Sequence, residues 1–560
     1  MSRRTLRVFV YWTEDRMYKQ KIARSSRVLA AAALAALAAA FPLSVGAKGG
    51  GTLVYCSEGS PEGFQPQFFA TGTTFDAVSV PIFNRLVEFE IGTTNIVPAL
   101  AESWTISPDG KVFTFKLRKG VKFHSNANFK PTRDLNADDV VFSWERMADD
   151  NNPFHKGTGG QTYSYFDDMG MKNIVEKVEK IDPMTVRYTL KRPEAPFLAD
   201  MAMDFASILS KEYFETMAKN GTPNAADIFP IGTGPFEFAS YQKDAIIRYK
   251  AFDAHWRGRP KVDNLVYAIT RDPTARYAKL KTGECQVMAF PKPADLAEMQ
   301  KDPSLNVLQK EGLNIGYVAF NVEKKPFDNK LVRQALNMAT DKAAILKAVY
   351  QGQGKVAKNL IPPILWSYND AVKDYPYDPA KAKELLAQAG YPNGFEVDLW
   401  YLPVTRPYNP DGKRMAEMIQ ADWEKVGVKA KLVTYEWAEY RKRSKTGEQT
   451  VMMFGWSGDN GDPDNFFVPL LGCEAVKGGG NIARWCNKAY EDLVIKAAQT
   501  PKQADRAKLY EQAQLIFKEE APWITIAHSI RFDPTRKEVK GYKMDATAHH
   551  YFNNTEVVSP

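Results

Sequence analysis

One apolar run, Val28 to Phe41, stands behind eight basic residues and ahead of the small residues Ser44-Val45-Gly46-Ala47. No later stretch approaches the roughly 18 apolar residues of a transmembrane helix, and this run, with 14, is too short to span comfortably. The arrangement reads as a secretory signal peptide over residues 1–47. Met17 heads a more typical leader, Tyr-Lys-Gln-Lys-Ile-Ala-Arg, so the first sixteen residues are expected to lie upstream of the true start. The first cysteine, Cys56, lies inside the strand-like Thr-Leu-Val-Tyr-Cys, so no lipid anchor is expected at the cleavage site. About 513 residues remain, more than one core holds, and two or three lobes are expected.

The leader also carries most of the chain's positive charge. Its eight Lys and Arg against two Asp and Glu mean that cleavage lowers the formal net charge from +8 to +2. With near balance and no basic run in the rest, nucleic acid and anionic membrane surfaces are poor candidates as partners. Four cysteines, 56, 285, 473 and 486, entering an oxidising compartment imply two disulfides with three possible connectivities.

Periodicity divides the chain by texture. Thr105 to Phe123 reads as a hairpin: Pro108-Asp109-Gly110 turns, then Phe113, Phe115 and Leu117 alternate with polar neighbours. Asn136 is placed to cap a helix whose first turn holds two aspartates. Strands are expected over 245–249 and 265–270. Asp378-Pro379 starts another helix that Gly390 ends. Met415, Ile419, Trp423 and Val426 follow helical spacing, Gly427 stops them, and Val428, Ala430 and Leu432 alternate as a strand. This is α/β organisation. A segment resuming over 531–542 implies that the chain returns to complete its first lobe.

Chemistry is concentrated in two loops. Residues 455–465 read Gly-Trp-Ser-Gly-Asp-Asn-Gly-Asp-Pro-Asp-Asn, and about fifty residues upstream lies Arg406-Pro407-Tyr408. A carboxylate such as Asp459 suits an α-ammonium group, and the planar fork of Arg406 suits a carboxylate, so the two can hold a zwitterion. Competing readings fail on their own residues. An EF-hand lacks its glycine, since Asn465 follows Asp464, and its closing Glu, since Leu471 stands there. The Gly-x-Ser-x-Gly hydrolase elbow fails at Asp459, and the six histidines bring no companion motif, so no catalytic residues are expected. His549-His550 reads as a surface pair rather than a metal site. Gly478-Gly-Gly480 and Gly232-x-Gly234 are too short for nucleotide signatures, and no cofactor is expected.

Longer motifs carry a resemblance. Leu100-Ala-Glu-Ser-Trp104, Leu117-Arg-Lys-Gly-Val-Lys-Phe-His124, Ala137-Asp-Asp-Val-Val-Phe142 and Gly232-Thr-Gly-Pro235 resemble the extracellular solute-binding family 5 of ABC importers over residues 52–558. Tyr55-Cys-Ser-Glu-Gly-Ser-Pro61, Met415-Ala-Glu-Met-Ile-Gln-Ala-Asp-Trp423 and Gly458-Asp-Asn-Gly-Asp-Pro-Asp-Asn-Phe-Phe467 are similar to its dipeptide-binding branch.

The resemblance implies an α/β, two-lobed periplasmic-binding-protein fold (type II, cluster C) with an additional third domain. Residues 51–83, 232–311 and 530–560 would form one lobe, 84–231 the extra domain and 312–529 the other lobe. It implies the disulfides Cys56–Cys285 and Cys473–Cys486, Asp459 on a ligand ammonium and Arg406 on its carboxylate. Pro407, Tyr408, Trp456, Ser457 and Gly458 would line the same cleft. Ala70, Thr71 and Gly72 align with a loop that bonds the peptide backbone. Related dipeptide binders often have a hydroxyl at the first of these positions, so Ala70 can contribute only main chain. The implied protein is a periplasmic monomer that delivers dipeptides to inner-membrane permease subunits with cytoplasmic ATPases. Haem or glutathione is the rival cargo, and a chemotaxis-receptor ligand carrier the rival role.

Overall fold

The computed structural model describes residues 50–156 and 162–558; the signal-peptide reading of residues 1–47 lies outside the described residues. Strand β1 (Thr52–Ser57) opens the fold with Leu53 and Tyr55 fully buried. The expected hairpin is β2 (Ala101–Ile106) and β3 (Val112–Leu117), with Phe113, Phe115 and Leu117 inward. Helix α1 (Ala137–Ala148) begins at Asn136, whose side chain accepts from the Asp138 amide while Asp139 accepts from the Asn136 amide. After α2 (Ser164–Asp168) come β4 (Val175–Asp182) and β5 (Thr185–Leu190), and β2-β3-β5-β4 form a four-stranded antiparallel sheet.

Strands β6 (Phe236–Gln242), β7 (Ile246–Ala251) and β8 (Asn264–Ile269) form an antiparallel meander whose last member runs parallel to β1. The chain continues through β9 (Val287–Met288), β10 (Leu305–Glu311), β11 (Asn314–Phe320) and β12 (Gly354–Val356). Helix α3 (Pro379–Gln388) is capped by Asp378, as expected. Strand β13 (Glu396–Trp400), helix α4 (Gly412–Glu424) and the parallel strand β14 (Lys429–Val433) make a β-α-β unit. Helix α4 ends before Val426, which buries its side chain from the following turn instead. Then come α5 (Trp437–Lys445), β15 (Val451–Ser457), α6 (Asp464–Leu471) and the long β16 (Trp523–Arg536).

One twelve-stranded sheet joins these parts, in the order β14-β13-β15-β11-β16-β9-β1-β8-β7-β6, with β10 and β12 also on β16. The fourteen residues of β16 serve both halves: 523–527 pair with β11, and 530–536 with β10. The returning segment near Arg531 therefore lies in the same sheet as β1. Gly312 joins β10 to β11 beside this crossing, and a Cβ there would lie 2.4 Å from the Ser529 carbonyl oxygen. Only a glycine lets the two connections pass so closely.

Both implied disulfides are present, Cys56–Cys285 and Cys473–Cys486. In Gly232-Thr-Gly-Pro235 the glycines serve packing, since a Cβ on Gly232 would lie 2.1 Å from the Ile82 carbonyl oxygen. The expectation of a surface pair at His549-His550 is corrected: both are buried, at 4% and 0% exposure. Each has a carboxylate beside it, Asp204 at 3.0 Å from His549 and Asp76 at 2.7 Å from His550, which offsets part of the cost of taking the ring inside. Among the described residues no helix is long and apolar enough to cross a membrane.

Candidate functional site

A two-glycine notch seats the arginine loop. Gly316 of β11 and Gly455 of β15 are cross-strand partners, and Tyr408 fills the space above them. A Cβ on Gly455 would come 2.1 Å from the Tyr408 ring, and one on Gly316 2.2 Å from its carbonyl oxygen. The loop itself is closed by reciprocal Arg406–Asn409 backbone hydrogen bonds, each 3.0 Å. Tyr350 donates to the Tyr408 carbonyl at 2.6 Å and Ser529 to that of Pro407 at 2.7 Å. Arg406 is thus presented from a fixed turn.

Its guanidinium is already engaged. Nη1 donates to Glu58 at 2.6 Å and Nη2 to Thr73 at 2.7 Å, while the Thr73 hydroxyl donates to the same Glu58 oxygen at 2.7 Å. Its plane lies 4.9 Å from the Trp437 ring centre and 5.8 Å from that of Phe290. Burial opposes the charge of Arg406, but the Glu58 carboxylate outweighs it and holds the pKa above the usual value.

Asp459 is the opposite case. Beyond the end of β15 its amide donates to Asn465 at 2.9 Å, and the same Asn465 oxygen accepts from Trp456 at 3.0 Å, so backbone and indole are fixed together. The carboxylate is 7% exposed and makes no hydrogen bond or ion pair with any described residue. Burial pushes its pKa up to about 7, offset only by the charge of His549. His549 is cationic: burial would lower its pKa, but Asp204 and Asp545 hold it well above the ordinary range. Thr547 links the ring to Asp545 through hydrogen bonds of 2.6 and 2.5 Å.

These groups stand around one cavity. Ala70, Thr71, Gly72, Arg406, Pro407, Tyr408, Trp456, Ser457 and Asp459 all stand on its wall. Gly458 does not; its amide donates to Leu313 at 2.7 Å, and a side chain there would strike Leu313 and Phe466. Thr71 is tied to Glu62 through its hydroxyl at 2.5 Å, and Gly72 opens a short helical turn. Sequence reasoning missed Thr73, Phe290, Trp437, Phe454 and His549 on the wall, and Glu58 behind it. Glu58 lies inside the quoted Tyr55-Cys-Ser-Glu-Gly-Ser-Pro61, which is the signal that marked it. No group of three or more His, Cys, Asp or Glu among the described residues is arranged to hold a metal ion.

A cavity walled by aromatic rings, with carboxylates and cations among its polar groups, fits a small charged solute. The family model for bacterial extracellular solute-binding proteins, family 5, matches residues 95–478, and the chain belongs to that family of solute-binding proteins rather than to any class of enzyme. It is 59% identical over 506 residues to the dipeptide-binding protein of Escherichia coli K12, covering 90% of this chain and 94% of that one. It is 54% identical over 506 residues to heme-binding protein A of Haemophilus influenzae, covering 90% and 92%. The crystal structure of a dipeptide-binding protein from Pseudoalteromonas sp. SM9913 in complex with Met-Leu superposes with a TM-score of 0.88 at 40% identity, covering 90% of this chain and all of that one.

Proposed function

We propose that this protein captures dipeptides in the periplasm and delivers them to an inner-membrane ABC permease driven by cytoplasmic ATPases. The observation that carries the reading is Asp459, a buried carboxylate with no partner, sharing one cavity with the anchored guanidinium of Arg406. Asp459 receives the α-ammonium and Arg406 the α-carboxylate, while Thr71 and Gly72 meet the peptide backbone. A receptor built this way reads what all dipeptides share and leaves side chains to the aromatic walls. A tripeptide would bury one terminal charge unpaired, at about 2–5 kcal/mol. Lobes of 51–83, 232–311 and 530–560 and of 312–529, with 84–231 as a further domain, close on the ligand about the crossing of Gly312 and β16.

The heme-binding relative gives the second reading its weight. Against it, among the described residues the one histidine on the cavity wall, His549, is committed to Asp204 and Thr547, so none of them offers a neutral imidazole there to an iron. Calorimetric titration of protein stripped of ligand by unfolding and refolding tests both. Heat with a free dipeptide, and little with its N-acetyl form, a tripeptide, glutathione or haem, is expected. Haem or glutathione binding without dipeptide binding keeps the family and overturns the cargo.

A further inference from the structure

The charges around the cavity balance, with two exceptions. Arg406 is paired with Glu58, and His549 with Asp204 and Asp545. Asp459 is unpaired. So is Arg441, on α5 one helical turn after Trp437. Arg441 is 5% exposed, forms no ion pair within 4 Å among the described residues, and its Nε and Nη1 have no hydrogen-bond partner. Its guanidinium lies 4.7 Å from the ring centre of Phe454, which is on the cavity wall. Phe454 in turn stacks on Trp437 at 6.2 Å and 8°, and Trp437 carries Arg406 on its ring. The result is a ladder of two rings with a cation at either end, of which only the Arg406 end has its counter-charge. Trp437, also on the wall, has an indole Nε1 with no partner.

An uncompensated buried guanidinium is destabilising, and an unsatisfied indole N–H adds to the cost. Nothing nearby relieves it. Lys445, one turn further along α5, is a second cation whose pKa is lowered by burial and then by Arg441 itself. Asp168, the carboxylate that feels both, is pushed up to about 7 by burial and so is a poor counter-ion at neutral pH. Both unsatisfied groups are donors: Trp437 stands on the wall with Arg406 and Tyr408, and Arg441 lies behind that wall against the Phe454 ring.

Resting on the dipeptide reading, we propose that Trp437 and Arg441 form a side-chain subsite for an anionic C-terminal residue, so that peptides ending in Glu or Asp are the favoured substrate class. A side-chain carboxylate there accepts from Trp437 Nε1 and sets a negative charge in front of the Phe454 ring that the uncompensated Arg441 backs. The isosteric amide fills the same space without the charge.

Calorimetry with Ala-Ala, Ala-Glu and Ala-Gln on the refolded protein tests this. Ala-Glu is expected to bind about tenfold more tightly than Ala-Gln, a preference that collapses to about twofold or less in Arg441→Met. Trp437→Phe keeps the stacked ring, removes only the Nε1 donor and lowers the preference severalfold. Equal binding of Ala-Glu and Ala-Gln by the unaltered protein overturns the subsite, whatever the variants do, including failure to fold. A preference that survives Arg441→Met also overturns it. Failure of all three peptides, Ala-Ala among them, instead overturns the dipeptide reading beneath it.

Discussion

At the scale of single residues, Asp459 is a buried carboxylate that costs the fold stability. Its native pKa of about 7 against an ordinary 3.8 means that the folded protein holds a proton the unfolded chain has lost between those values. Stability therefore declines as pH rises through that window, by up to about 4 kcal/mol for three pH units. Asp459→Asn is expected to weaken dipeptide binding by about 100-fold or more yet raise the apparent Tm of the empty protein at pH 8 by a few degrees, with no gain at pH 4. Calorimetric scans at both pH values check this, and an unchanged Tm at pH 8 removes the strained carboxylate. Glu58 predicts the reverse pattern. Glu58→Gln leaves Arg406 buried beside a neutral amide, at a cost of about 3–5 kcal/mol to the empty protein. The ligand's carboxylate then becomes its only anion, so the preference for a free dipeptide over its C-terminal amide should widen about tenfold or more. An unaltered acid-to-amide ratio in titrations of this variant refutes the coupling.

At the scale of elements, the arginine loop depends on a notch in the sheet. Gly455→Ala places a methyl 2.1 Å from the Tyr408 ring and 2.6 Å from the Ile315 carbonyl oxygen. Loop and strand must separate, with an expected loss of about 1–3 kcal/mol and a drop of about tenfold in dipeptide affinity. Urea unfolding and titration read the two effects, and a variant normal in both would show that the notch does not position the loop. The same elements show what a sequence reveals. The caps at Asn136 and Asp378, the hairpin about Pro108-Asp109-Gly110 and the alternation of β14 are written within a few residues, because caps, turns and strand periodicity are local physics. The two loops of the cleft were legible because their chemistry is concentrated in consecutive residues. Glu58 against Arg406, 348 residues apart, has no local signature. The burial of His549 and His550 is decided by Asp204 and Asp76, hundreds of positions away. Helix α5, which brings Trp437 to the wall and Arg441 behind it, has four basic residues among its nine and only a weak apolar stripe, so its inward face is hidden in composition.

At the scale of the whole molecule, the titrating groups set a stability profile that leans acidic. Asp168, Asp459 and Asp464 are raised to about 7, 7 and 8, each mainly by burial, and Asp200 beside Asp464 is raised further by burial and by its acidic neighbours. Asp200 and Asp464 share their surroundings with Asp462 and Glu194, and Arg506 is spent on Asp462 at 2.7 Å. For all four the native state binds more protons than the unfolded chain from about pH 4 upward, so their contribution falls as pH climbs towards 8. His549, raised in the folded state, adds stability that is lost at still higher pH. Two groups oppose this. His124 and His528, lowered to about 4 by burial, and His255, also lowered by burial, cost stability as pH drops below 6.5. Asp204 and Asp545 are lowered despite burial, chiefly by His549, and their contribution is lost in stronger acid. Asp168, Asp200, Asp459 and Asp464 outweigh the lowered histidines between pH 4 and 6.5, so the empty protein should reach its highest apparent Tm near pH 4 and decline to pH 8. Ligand reverses part of the decline. An ammonium held at Asp459 returns that carboxylate to its ionised form, so binding near pH 6 releases a proton, and affinity rises with pH until about 7. A saturating dipeptide should therefore raise Tm by more at pH 8 than at pH 5, and its binding heat at pH 6 should shift with the ionisation enthalpy of the buffer. A buffer-independent heat at pH 6, together with an equal Tm rise at both pH values, would mean that Asp459 is not the group that meets the ligand's charge.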